Sequence, residues 1–169
     1  MPRPDLQMVP EFYHKYVNKV HNEDVKKAIE DNTEETVRFL QAIPDEKWNY
    51  RYADGKWSIK EMIQHIIDGE RIFSYRALCF ARGEKTSLPG FDENDYADAS
   101  KADRRSKEEL IREFEAVRQG TQLLYAAFDE EQLASIGTAN NNPISVNAIG
   151  YIIVGHIKHH LAVLQERYL

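Results

Sequence analysis

The chain has 169 residues, a length at which one domain can bury a substantial core without disulfides or structural metals. With 42% hydrophobic and 30% charged residues it does not have the composition of a disordered chain. A net charge of −6, from 22 basic and 28 acidic side chains, argues against nonspecific nucleic-acid binding.

Residues 1–10 carry three prolines and read as an irregular arm without the apolar centre of a signal peptide. Phe12, Tyr13, Tyr16, Val17 and Val20 follow, and predict a short helix whose aromatics pack on the body. Asn22, Glu23 and Asp24 resemble a helix start. Val25, Ala28, Ile29, Thr36, Val37 and Leu40 then recur with a helical period until Pro44 ends the first long helix. The 44–57 connection, with Trp48, Tyr50, Tyr52 and Trp57, is expected to be a loop packed on the bundle.

Ser58 with Glu61 three residues later forms a capping-box pattern, with Trp57 and Met62 as the expected hydrophobic staple. The second helix runs from there through Ile63, Ile66, Ile67, Phe73, Ala77 and Leu78 to about Arg82, with Gly83 as its C-cap. Gly69 inside it costs helix propensity and suits the close approach of a neighbour. Cys79 is the only cysteine, so no intrachain disulfide can form; in the run Ala77–Phe80 it reads as a small buried hydrophobe.

Residues 83–105 form a long linker, either a functional lid or a crossover spanning the bundle. Ser106 and Glu109 cap the third helix, whose expected stripe is Leu110, Phe114, Val117, Thr121, Leu124 and Phe128. A second connection, 129–142, ends in three asparagines, and Pro143 suits the first turn of the fourth helix. That helix turns Ile149, Ile152, Ile153, His156, Ile157, His160 and Leu164 inward. The segments are too long for strands, so the fold class is an all-α four-helix bundle in a single domain, 1–169, with 1–20 as its N-terminal arm. No stretch approaches the roughly 18 apolar residues of a membrane span, and a cytoplasmic location is expected.

His156 and His160, four residues apart, project from one helix face and lie within its apolar stripe. Buried imidazoles must be hydrogen-bonded, solvated in a pocket or bound to a metal, and these readings stay open on the pair alone. The segment is not the zinc-protease HExxH arrangement, because no glutamate stands where it would activate water. His65, about two turns into the second helix, offers a third ligand. Three histidines with an open position suit zinc, nickel or another divalent transition metal. His159 turns away from that face, and His14 and His21 have no comparable support. Asp68 and Glu70 are candidates for orienting an imidazole, with a solvated acidic pair as the alternative. Asp95 and Tyr96 in the linker either cover the site or form a structural turn. Arg76 and Arg118 fall near inward positions, where each either binds an anionic substrate or pairs with a carboxylate.

The segments Trp57–Arg71 and Gly155–His160, with Arg76-Ala77-Leu78, Leu88–Phe91 and Glu166–Leu169 in order between and after them, resemble the DinB-like superfamily of metal-binding four-helix bundles. The resemblance covers almost the whole chain. It implies that the family's metal histidines fall on His65, His156 and His160, and that the bundle runs up-down-down-up with a long crossover. It also implies frequent homodimerisation, and a small-molecule substrate is expected; the charge and the lack of a long apolar stretch leave no nucleic-acid or membrane partner expected. The implied function is a metal-dependent hydrolase or a transferase using a low-molecular-weight thiol. The alternative is a noncatalytic, stress-related metal-binding dimer. No catalytic residue beyond the metal ligands is assigned.

Overall fold

A computed structural model describes residues 1–169. Its short helix α1 (His14–Val17) follows two 3-10 turns in the arm. The four long helices are α2 (Val25–Ala42), α3 (Ile59–Ala81), α5 (Lys107–Ala127) and α7 (Val146–Arg167). Two shorter ones, α4 (Glu93–Ser100) and α6 (Glu130–Ala134), lie in the connections. No helix is long and apolar enough to cross a membrane.

The helix starts follow their caps. Ser58 accepts from the Glu61 amide while Glu61 reaches back to the Ser58 amide, and Ser106 with Glu109 repeats the arrangement. Asp24 and Ser145 cap α2 and α7.

Contacts between helices give their directions. Asn22 pairs with Tyr151 and Glu35 with Lys158, so α2 and α7 are parallel. Lys107 reaches the Ile43 carbonyl and Gln122 reaches Thr33, so α5 runs antiparallel to α2. Arg105 bonds Gln64 and Thr121 meets Ser74, which makes α3 and α5 parallel. Tyr168 donates to the Trp57 carbonyl while His156 packs beside Phe73, so α7 is antiparallel to α3. The topology is up-down-down-up. Parallel neighbours α3 and α5 require a connection that travels the length of the bundle, which accounts for the long 83–105 segment.

That segment is more structured than expected. Asp92 caps α4, and Leu88 bridges to Ala139 of a small hairpin, β1 (Ile136–Ala139) and β2 (Asn142–Ser145). The hairpin corrects the expected start of the fourth helix. Pro143 sits in β2 opposite Thr138, and the helix begins after Ser145. Asn140 and Asn141 have φ of 48° and 61°, the two left-handed residues that a tight hairpin turn demands. The stripe of α5 is also shifted: Leu110, Ile111, Phe114, Arg118, Thr121 and Tyr125 are buried, whereas Val117 and Leu124 flank them.

The core is divided. One apolar cluster holds Ile29, Phe73, Tyr125 and Val154, and a second holds Leu40, Ile67, Phe114 and Ile157. Between them every long helix contributes buried polar groups: Asn32 and Thr36 from α2, His65 and Glu70 from α3, Arg118 and Thr121 from α5, and His156 from α7. Glu70 and Arg118 form an ion pair at 2.9 Å, both almost fully buried. Nearly all of α7 from Val146 to Ile157 is buried, because α1 covers its outer side.

Gly155 makes that cover possible: a Cβ there would land on the Tyr16 backbone. Gly155→Ala is expected to cost about 1–3 kcal/mol in urea unfolding, as overpacked sites do. Because the strain falls on the arm, limited proteolysis should accelerate near Tyr16 before it does elsewhere.

Candidate metal centre

His65 stands about two turns into α3, and His156 and His160 stand one turn apart in the middle of α7. The antiparallel contact of these helices brings the three rings together with centroids 4.5–4.9 Å apart. His156 Nε2 lies 2.9 Å from His65 Nε2 and 3.0 Å from His160 Nε2, and one ligand atom from each residue falls within 4.8 Å of the others.

This arrangement fits a cation better than it fits a hydrogen-bond network. A neutral imidazole nitrogen either carries a hydrogen or presents one lone pair. His156 Nε2 therefore cannot serve both neighbours well with one group. Three lone pairs directed at one ion would satisfy all three nitrogens together. His160 Nδ1 is buried without a partner, so no bond on the far side of that ring fixes its tautomer.

Burial is the main cause holding these rings neutral. It pushes His65 down to about 4, against a weaker opposing pull from Glu93, and takes His156 and His160 well below the ordinary value of 6.5. A neutral ring is the form that ligates a metal.

Neighbouring aromatics fix the ring positions. The Trp57 ring packs on His65, tilted, with centroids 4.8 Å apart. The Tyr168 hydroxyl holds the Trp57 carbonyl at 2.7 Å and so ties the end of α7 to the start of α3. Tyr16 meets His156 edge-on at 5.4 Å, and Phe73 packs on its other side. Gly69 is where His156 approaches α3, 3.4 Å from where a Cβ would stand.

The three histidines line a cavity of about 540 Å³, within the range of small-molecule sites. Tyr13, Tyr16, Trp57 and Phe73 contribute walls, and Gly90, Phe91, Glu93, Asn140 and Asn142 close them from the crossover and hairpin. The long linker is thus both crossover and cover.

Other candidates go elsewhere. Glu70 is spent on Arg118, and Asp68 accepts from Gln64 near Arg71; neither lines the cavity. Tyr96 packs on Phe91, and it too lies outside the lining, as does Asp95. Glu93, one turn earlier on α4, faces the cavity instead. His159 touches Tyr16 and His160 at the margin, and His14 bonds the Val9 carbonyl. Cys79 is half-buried and outside the cavity. The sequence reading missed Tyr13, Tyr16, Trp57 and Glu93 as cavity residues. The aromatic run in the arm was the visible signal, but it gave only packing.

A family model described as the DinB superfamily matches residues 28–164. A protein of Oceanobacillus iheyensis, named as a candidate metal-dependent hydrolase, is 28% identical over 148 residues, or 85% of each chain. YfiT from Bacillus subtilis, described as a probable metal-dependent hydrolase with an unusual four-helix-bundle topology, matches with a TM-score of 0.75. The identity is 14%, over 96% of this chain and 89% of YfiT. A mycothiol-dependent maleylpyruvate isomerase matches with a TM-score of 0.69 and 12% identity, over 86% of this chain and 61% of its own. At such identities the two structures bear on fold alone.

The depressed histidines give a pH dependence. In the folded, metal-free chain His65 stays neutral to about pH 4, whereas an unfolded histidine takes a proton near 6.5. The unfolded state therefore binds more protons in that window, and stability falls as the pH drops through it. Above about pH 7 this contribution is flat, and below it the slope reaches at most about 1.4 kcal/mol per pH unit for each such histidine. Urea unfolding of chelator-treated protein should show this slope, and the H65Q/H156Q/H160Q variant should lack it.

Proposed function

The chain belongs to the DinB superfamily, and on that premise we propose that it is a metal-dependent enzyme whose His65, His156 and His160 hold one divalent transition ion beside a small-molecule cavity. The observation that carries this reading is the convergence of three neutral imidazoles, those of His65 and His156 buried and that of His160 half-buried, at one place in the cavity wall. Zinc and nickel are the ions best suited to three nitrogen donors with an open position. When bound, such an ion lowers the pKa of a ligated water or thiol and polarises an electrophile.

The chain's own residues supply the setting. Trp57, Tyr16 and Phe73 restrict the ligand rings and exclude water from their flanks. Phe91 and the arm enclose the reacting centre from above. Glu11 and Glu93, both exposed at the rim, are the carboxylates placed to exchange protons with solvent. Hydrolysis is the first reading, supported by the name of the Oceanobacillus relative. Transfer of an external low-molecular-weight thiol is the second, supported by the fold shared with the mycothiol-dependent isomerase. The thiol must come from outside, because Cys79 does not reach the cavity. Homodimerisation is part of the proposal, supported by outward-facing Tyr75, Leu78 and Leu123; sedimentation showing only monomer across a wide concentration range rejects it.

Untagged protein purified without added metal should contain about one divalent ion per chain. Replacing any one of the three histidines with alanine should weaken metal affinity by more than about 100-fold. Elemental analysis, with turnover measured on ester, amide and electrophile-plus-thiol panels, is the test. Metal-free protein, or turnover that survives loss of all three histidines, sinks the proposal.

A further inference from the structure

The sequence left Arg76 and Arg118 equivalent, and the fold separates them. Arg118 is neutralised by Glu70. Arg76 is also buried, at 5% exposure, yet no carboxylate lies within ion-pair distance of it, and its partners are the Pro89 carbonyl at 2.7 Å and the Tyr13 hydroxyl. A guanidinium has five N–H donors in a planar fork, so most of its donors remain free. It lines the same cavity as the histidines, beside the Tyr13 hydroxyl. The cavity's two carboxylates, on Glu11 and Glu93, lie exposed at the rim, where water screens them.

A buried, unpaired cation costs free energy unless something neutralises it. No carboxylate stands within ion-pair distance of Arg76, and its unbonded nitrogens are not sealed in the core but open on the cavity. The Pro89 carbonyl and the Phe73 ring, 5.8 Å from the guanidinium carbon, hold it in place. Phe73 in turn lies 6.2 Å from the His156 ring, so one aromatic side chain separates the guanidinium from the metal ligands. Along α3, His65 and Phe73 are eight residues apart, about 12 Å of helix.

We propose that Arg76 is a specificity-determining residue that anchors an oxyanion, carboxylate or phosphoryl, at the end of an apolar substrate remote from the reacting group. This rests on the reading of the cavity as the substrate site, and it names the substrate class. Phe73 and Trp57 face the apolar middle of the molecule, and the Arg76 fork with the Tyr13 hydroxyl receives its charged end.

The test is calorimetric titration of the full chain, metal-free and zinc-loaded, with 4-phenylbutyrate, 4-phenylbutylphosphonate and uncharged 4-phenylbutyramide. Wild-type protein should bind at least one of the two anions about tenfold or more tightly than the amide, as a charge-assisted hydrogen bond provides. Which anion leads identifies the oxyanion. The preference should be present without metal, fall to near one in R76M, and survive in part in R76K. If R76M loses its cooperative melt, R76Q, which keeps a donor for Pro89 without the charge, carries the same comparison. The idea is overturned by an anion-to-amide ratio near one in the wild type, by a ratio unchanged in R76M or R76Q, by no saturable binding of any probe, or by a preference seen only with zinc. The last result would mean that the anion ligates the ion, leaving the metal centre standing and Arg76 without this role. Failure of the chain to hold metal, with the ratio intact in the metal-free protein, would do the reverse.

Discussion

A bundle with an apolar interior has to satisfy every polar group that it carries across its middle, because unsatisfied polarity in a low-dielectric core costs several kcal/mol per group. Here all four long helices carry such groups at the same height, between two apolar clusters. On the α3–α5 side the charges balance internally, because Glu70 neutralises Arg118, although the pair leaves buried polar atoms without hydrogen-bond partners. On the α3–α7 side there is no such pairing: three imidazoles face one another and no acid answers them. The same polar layer is a closed structural element on one side and an open chemical one on the other.

The remaining elements are arranged around the open side. Removing the side chain at Gly155 lets α1 lie against α7 and sets Tyr16 on His156. The parallel relation of α3 and α5 forces the crossover along the bundle, and that path carries Phe91 and Glu93 over the cavity. The hairpin turn at Asn140 and Asn141 closes the same rim and bonds the crossover through Leu88. Three irregular segments therefore enclose a centre whose ligands all stand on regular helices. The division suits a site that needs rigid ligands and an adaptable wall.

The cavity chemistry is uneven in a way that bears on selectivity. Three neutral donors leave the full charge of a divalent ion available to a ligated nucleophile or electrophile, where carboxylate ligands would offset it. The walls between this point and Arg76 are aromatic, and the acids are confined to the wet rim. With an ion held by the histidines, charge would stand at two places in the interior with an apolar stretch between them.

Local interactions made much of this legible in the sequence. The capping boxes at Ser58 and Ser106 marked their helices, because a cap bonds to residues three positions away. His156 and His160 were recognisable as a pair because helical geometry places residues four apart on one face; His65 was offered as a third ligand by its place beside the inward stripe of the second helix, and the resemblance to DinB-like proteins supported it. The hairpin was missed because Pro143 fits a helix start as well as an edge strand, and only the turn conformation of the asparagines decides between them. The aromatics of the arm were expected to pack on the body; Tyr16 does and Tyr13 does in part, whereas Phe12 stays exposed, and the sequence did not show what they would pack against. The sequence by itself determined the four long helices, the capped starts of the second and third, and the paired histidines, since these depend on neighbours within about one turn. Only the tertiary structure decided that Glu70 belongs to Arg118, that Trp57 and Tyr16 belong to the histidines, and that Arg76 has no acid within ion-pair distance. Charge pairing depends on distance in space, and residues far apart in the chain acquire that distance only when the helices pack.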